Sequence, residues 1–487
     1  MTEEKTKIDI SDGNQQVAPN AGKAVQNHFY GTEFASKILG CKEHPITMVV
    51  TGAGVDATIG IPTSASLIPC ITDFLATDEG KDIDAALRKA VGGVRFNFDK
   101  FVENAINDLA QNLDRELTTI CRDVNGELEN NHGLDDGQRK LGKLIVRIFH
   151  KIIDVKENAC IDQETESLIS DVLGTQVKDD TIIDFSRLSY TDTFKSVVIE
   201  ILQKSMHESD NPILRHVYRN ILNIEQLLSK FFYGFYEGKD GFIRNYMYIS
   251  WMLWAYLVTR EQRIAAAHAE NSAQPVMPGI YTQLEEMNVE LVTFCYTTFA
   301  SRTRRNAYYF HGSLLEYVDV ENKNDITFDN LLEIDILDFF KNRLSKEISF
   351  GTDSDKHRAL PIPSFLPPLK LQPVISKHYI DMWYQTGEMM KHAKRIVLLG
   401  ISLNGVDPYF ADMLRESQAD DILVVDCDLE AASTALCRIF QLLPSAYSRC
   451  EVDWHDARKY NNRITVVEAE LSDLNLKEMG CFKLDAF

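Results

Sequence analysis

Ile46-Thr47-Met48-Val49-Val50-Thr51-Gly52-Ala53-Gly54-Val55-Asp56-Ala57-Thr58-Ile59-Gly60-Ile61-Pro62-Thr63 is the stretch on which the reading of this chain turns. It opens as a compact, β-branched, apolar run that breaks at a glycine, which is the pattern of a strand. An apolar strand without polar alternation suits the centre of a parallel sheet, covered on both faces. Beyond it, Gly52 permits a tight turn and Gly54 lets backbone come close to a phosphate. Ala57, in the third small position, allows the following helix to pack closely, and exposed N–H groups in the turn would hold phosphate oxygens. A glycine turn after a strand serves packing as readily as ligand binding, so the loop alone leaves both roles open.

Strand-like runs return far downstream, at Glu290–Tyr296, Tyr308–Phe310, Arg395–Gly400, Asp421–Asp426 and Arg463–Val467. Helical patterns over Tyr379–His392 and Leu429–Leu442 are interleaved with them, which predicts right-handed crossovers into one parallel sheet. From about Ser64 to Glu285 the apolar residues instead recur at three- and four-residue spacing. Phe98–Leu113, Leu141–Ile153, Phe194–Met206, Ile213–Phe235 and Phe242–Ala267 all show this helical period. The expected organisation is therefore an α/β domain split between residues 31–70 and 286–487, interrupted by a large all-helical insertion over 71–285. Residues 1–30 are polar and aperiodic and suit a disordered or loosely docked arm, followed by a short helix around Glu33–Leu39. Pro361, Pro363, Pro367, Pro368 and Pro373 make Ala359–Pro373 an extended connection.

Composition narrows the function classes. The 487 residues are 45% apolar and 25% charged, ordinary globular proportions that allow a large core. Acidic side chains outnumber basic ones, 72 to 51, and the formal charge of -21 disfavours extensive nucleic-acid binding. One short stretch, Arg302, Arg304 and Arg305, is locally basic. The nine cysteines are scattered, with no C-x-x-C pair, so no structural zinc and no other metal is expected. The opening MTEEKTKIDISDGNQQ has no basic segment followed by an apolar one, and the expected compartment is the reducing cytoplasm. The longest apolar run, Tyr246–Val258, spans 13 residues, short of the roughly 18–20 that cross a bilayer, and reads as a buried helix with no membrane role.

Gly52 through Thr63 resembles the opening motif of the SIR2 (sirtuin) family, G-A-G-x-S-x-x-x-G-I-P-[TD], with Asp56 where a small hydroxyl residue is usual. Phe310-His311-Gly312-Ser313 resembles that family's histidine–glycine motif, and Gly400-Ile401-Ser402-Leu403, within the stretch ending at Asp407-Pro408, resembles its G-x-S-L segment. The resemblance covers about half the chain, residues near 45–70 and 285–470. It implies a Rossmann-like parallel sheet of the SIR2 type with NAD, or another ADP-ribose derivative, as ligand. Gly52, Ala53, Gly54, Val55, Thr63, Gly400 and Ser402 would then surround phosphate and ribose. Asp426 would accept the ribose hydroxyls, where sirtuins carry an Asn, and His311 would be the polarising or base residue.

The resemblance breaks at Leu291-Val292-Thr293-Phe294-Cys295-Tyr296-Thr297-Thr298. Active members have a motif close to T-x-N-x-D here, and Cys295 and Thr297 stand in place of the Asn and the Asp. A thiol is a poor donor and holds a water weakly, so the usual hydrolytic arrangement is not intact. Asp56 and Asp426 are the candidates to take over the Asn's work, and Asp56 and Cys295 join His311 as candidate catalytic positions. Without zinc cysteines but with a helical insertion, the chain is more similar to bacterial SIR2-like antiviral defence proteins than to the deacylases. Related domains there cleave NAD to nicotinamide and ADP-ribose, and helical parts or partner proteins govern assembly. The resemblance thus implies an NAD-cleaving defence effector with the insertion as a lid, working as a homo-oligomer or with a partner protein. The alternative is a catalytically degenerate module that binds NAD or ADP-ribose and acts by sensing or assembly.

Overall fold

The computed structural model of the protein describes residues 46–63, 66–101, 116–153, 161–174, 182–184, 189–190, 192–207, 211–221, 231, 233–234, 237–271, 279–303, 307–351, 357–365, 377–403, 407–452 and 454–476. The arm over 1–30, the helix expected at Glu33–Leu39, most of the Phe98–Leu113 pattern and the Pro367–Pro373 part of the extended connection lie outside the described residues.

The apolar run that opens the key stretch is strand β1, Ile46–Thr51, all but its first residue buried. The glycine turn leads into a short helix, α1 (Ala53–Ala57). There follow helices α2 (Leu67–Ala76), α3 (Asp78–Val91), α4 (Glu116–Asn130), α5 (Asp136–Ile153), α6 (Gln163–Leu173), α7 (Asp192–His207), α8 (Pro212–Ile221), α9 (Asp240–Asn271) and α10 (Ile280–Glu285). The all-helical expectation for 71–285 needs one correction, an antiparallel pair of β2 (Ile183–Asp184) and β3 (Ser189–Tyr190). Strands of two residues are too short to leave a period of two in the sequence.

Beyond the helices come β4 (Glu290–Thr293), α11 (Phe299–Thr303) and β5 (Tyr308–Tyr309), then β6 (Gly312–Asp319), β7 (Asn324–Thr327) and β8 (Pro361–Phe365). The chain continues through α12 (Lys377–His392), β9 (Ala393–Leu399), α13 (Pro408–Glu416), β10 (Asp421–Asp426), α14 (Leu429–Phe440), β11 (Ser448–Val452), β12 (His455–Tyr460) and β13 (Ile464–Glu468). The protein is an α/β protein whose main sheet has the order β11-β12-β13-β10-β9-β1-β4-β5. Its members from β13 to β5 are parallel. Ranked along the chain, those parallel strands lie 3-2-1-4-5-6 across the sheet from β5 to β13, the order of a doubly wound, Rossmann-like sheet.

Both faces of the sheet's parallel part are apolar, which is why its strands read as continuous runs. Met48, Val50, Ile396, Leu398, Ile422 and Val424 enter a core with α12, α13 and α14. Their neighbours Val49, Val397, Leu399, Leu423 and Val425 enter the opposite core with α10 and Phe299.

A third core holds the other helices. The run Tyr246–Val258 is buried along its whole length in the middle of α9, as a helix apolar on every side must be. Trp251 and Trp254 donate their indole N–H groups to the carbonyls of Pro361 and Leu314, both at 2.9 Å. The three-stranded antiparallel sheet β7-β6-β8 therefore packs with the helices, although it follows the main sheet's β5 in sequence. No helix among the described residues is long and apolar enough to cross a membrane.

Candidate functional site

In a doubly wound sheet the ligand crevice opens at the carboxyl ends of the strands where the order reverses, here between β1 and β9. The glycine loop sits there, but it is interlocked with the end of β9. Gly52 N–H donates to the Leu399 carbonyl at 2.9 Å and Gly54 N–H to the Gly400 carbonyl at 3.0 Å. A Cβ on Gly52 would stand 2.5 Å from the Gly400 oxygen, and one on Gly54 would stand 2.9 Å from Gly400 Cα. Gly400 itself has a left-handed φ of 60°, and a Cβ there would come within 2.9 Å of Val55 N. The exposed N–H groups expected in this loop are therefore not those of Gly52 and Gly54, which donate to the end of β9 and let the two loops close on each other.

Asp56 points inward from α1 and is buried. Tyr281 on α10 donates its hydroxyl to Oδ1 at 2.7 Å, and Thr297 donates to Oδ2 at 2.8 Å. Burial raises the Asp56 carboxyl above the ordinary range in spite of these bonds. Cys295, at the end of β4, donates its S–H to the Gly52 carbonyl at 3.1 Å. Its thiol is pushed well above its ordinary value, first by burial and then by the Asp56 charge, so it stays protonated. Thr298 binds the buried Glu261 of α9 through both its N–H, at 3.0 Å, and its hydroxyl. Arg302 donates to the same carboxylate at 2.6 Å. The segment that departs from the SIR2 pattern is thus a packed, polar joint between glycine loop, β4 and α9. Asp56 and Cys295, expected as catalytic positions, are both buried here and engaged by partners, Asp56 by Tyr281 and Thr297 and Cys295 by Gly52.

His311 is placed differently. It follows β5, with its ring edge-on to Phe294 at 4.7 Å and beside Phe310, and its side chain keeps 13% exposure. Its Nε2 lies 3.5 Å from Oδ2 of Asp407, an ion-pair separation. Asp407 caps α13, accepting from Tyr409 N–H at 2.7 Å and Phe410 N–H at 3.3 Å through Oδ1. Its Oδ2 is buried and accepts no hydrogen bond within the described residues. An aspartate immediately before a proline at N1 is a legible N-cap signal. The sequence gives no sign that its second oxygen would face a histidine from another strand, and Asp407 is the site residue that sequence reasoning missed.

The remaining expected ligands divide. Ala53 and Ser402 are exposed at the carboxyl ends of β1 and β9, and Asp426 is half-buried at the end of β10. Burial raises the Asp426 carboxyl, which accepts the Asp428 N–H at 3.0 Å. Val55 is fully buried in the sheet core, and Thr63 lies past α1 beside Ser66, at 3.4 Å. From β10 to β5 is four strand spacings, about 19 Å, so Asp426, Ser402, Ala53 and His311 form one row along this edge. An open concavity of about 550 Å³ bordered by Gly92, Gly93, Arg95, Gly241 and Arg244 lies elsewhere, near the start of α9. Arg244 and Glu261 are some 25 Å apart along that helix. Compared with models of known families and with curated proteins, the chain matches none.

Proposed function

We propose that this is a SIR2-type protein that binds NAD along the carboxyl edge of its parallel sheet and cleaves it to nicotinamide and ADP-ribose. The observation that carries the reading is the His311–Asp407 pair, a largely buried imidazole that keeps some exposure and faces a buried carboxylate oxygen that takes no other hydrogen bond among the described residues. Ala53 and Ser402 would adjoin the phosphates and Asp426 the ribose hydroxyls, as the resemblance implies.

Breaking the nicotinamide–ribose bond develops positive charge on the sugar, and a water then needs to lose a proton as it adds. His311 is the group at this edge suited to take that proton. Asp407 holds the imidazole's orientation and stabilises it once protonated, while its other oxygen is fixed by the helix it caps. The helices support a lid role, because Arg260 of α9 reaches the Gly60 carbonyl at 2.6 Å and Glu261 holds the β4 turn. A place in bacterial antiphage defence, acting as a homo-oligomer or with a partner protein, follows from the sequence resemblance alone.

The reading predicts nicotinamide release from NAD by the wild-type protein and a loss of about a hundredfold or more in His311→Ala, with binding far less affected. Normal turnover in that variant would remove His311 from the chemistry. One observation favours a second reading, a nucleotide-binding module without catalysis: the position of the family's Asn holds a thiol fixed on Gly52. On that reading the wild type binds NAD without hydrolysing it, and Cys295→Asn with Thr297→Asp recovers a trace.

A further inference from the structure

The main sheet ends differently on its two sides. β5 is two residues long and buried, whereas β11 is the outermost strand among the described residues and largely exposed. An open strand edge is a template for pairing, and proteins usually guard it with charged residues, a proline or a bulge. β11, Ser448-Arg449-Cys450-Glu451-Val452, has no proline and pairs with β12 without a register shift, and its two charges are opposite in sign and two residues apart.

We propose that β11 pairs antiparallel with β11 of a second copy of this chain about a twofold axis at Cys450, joining two main sheets edge to edge. Val452 pairs with His455 across a two-residue connection. In such a hairpin the pair beside the turn exchanges its hydrogen bonds and the pattern alternates outward, so the backbone groups of Arg449 and Glu451 point to the open edge. Pairing about Cys450 matches those positions: Arg449 of each copy meets Glu451 of the other.

The hairpin itself shows what this relieves. Arg449 lies directly across from Arg458, and Glu451 from Asp456, two like-charge pairs on one face. Arg458 already has a partner in Glu430, whereas neither Arg449 nor Glu451 has an ion-pair partner among the described residues. A second copy supplies the missing opposite charge to both, twice over by symmetry. Leu443 precedes β11 and Trp454 follows it, so the antiparallel pairing sets the Trp454 end of one copy beside the Leu443 end of the other. Trp454 and Leu443 are 85% and 71% exposed, and Trp454 is held at a left-handed φ of 62° at the hairpin tip.

The test is the mass of the full-length protein in solution, by light scattering across a dilution series. Wild type is a dimer or a multiple of one. Arg449→Glu and Glu451→Arg each set like charges across the axis and weaken association by about tenfold or more, and the double reversal restores it. Each single reversal also removes a like-charge pair within the hairpin, so the variants keep the wild-type circular-dichroism spectrum and a cooperative unfolding transition, which rules out misfolding as the cause. Cys450 faces Cys450 across the axis at a non-hydrogen-bonded pair, close enough for a disulfide. Mild oxidation therefore links the copies, and Cys450→Ser prevents it. A monomeric wild type at tens of micromolar, or an assembly that ignores both single reversals, overturns the proposal.

Discussion

The turn after β4 and the turn after β5 lie side by side on the same edge of the sheet, yet their polar groups are treated in opposite ways. After β4, Cys295, Thr297 and Thr298 all find partners, in Gly52, Asp56 and Glu261, and burial holds the Cys295 thiol and the Asp56 carboxyl protonated more readily than usual. After β5, His311 keeps some exposure and faces a carboxylate oxygen without a hydrogen bond among the described residues. A saturated polar cluster holds elements together, whereas a buried acceptor left open is stored capacity for chemistry. The strongest sequence motif thus marks the joint, and the His311–Asp407 pair proposed for the chemistry lies one strand further along.

Breaking the joint gives the largest effect expected. Gly54→Val puts a branched side chain where a Cβ alone stands 2.9 Å from Gly400 backbone. Overpacking at the sheet's centre costs about 3 kcal/mol or more, and thermal unfolding should show a large drop or no folded protein. A variant that keeps its midpoint and loses only nucleotide binding would return Gly54 to the role its motif suggests.

A smaller effect separates charge from packing at Asp56. The folded state raises its carboxyl, so it holds the proton more tightly than the unfolded chain does. Stability then falls as pH rises from the ordinary carboxylate range through the raised value. Asp56→Asn never ionises, and the difference in unfolding midpoint should move in the variant's favour from about pH 4 to about pH 7. A difference that stays constant with pH would mean that the carboxylate is not desolvated. The smallest change is Cys295→Ser, which keeps a donor for Gly52 and should cost about 1 kcal/mol or less with turnover within about twofold of wild type. A hundredfold loss there would put Cys295 back in the chemistry.

The comparison also shows where sequence was readable. β1, β9 and β10 are buried on both faces, so each leaves an unbroken apolar run, and their parallel pairing could be anticipated from the helices interleaved with the later strands. β11 and β12 alternate charged with half-buried residues, and β6 and β8 serve a core built mainly by helices, so neither pair announced itself. At the site, His311 stood out by its motif. Asp56 and Cys295 were also marked by position, but the direction of a side chain at a strand end depends on tertiary partners, here Tyr281 and Gly52, that sequence spacing does not reveal. Asp407 was readable as a helix cap and not as a partner of His311, because the two are 96 residues apart in sequence.

The central claim is that His311 and Asp407 work as a unit, and a double-mutant cycle on NAD turnover tests it most directly. Asparagine remains a good helix cap, so Asp407→Asn isolates the charge facing His311. The account predicts that Asp407→Asn lowers turnover about tenfold or more, that His311→Ala lowers it about a hundredfold, and that the double variant falls no further than His311→Ala alone. Losses that multiply in the double variant, or full turnover in Asp407→Asn, would contradict it.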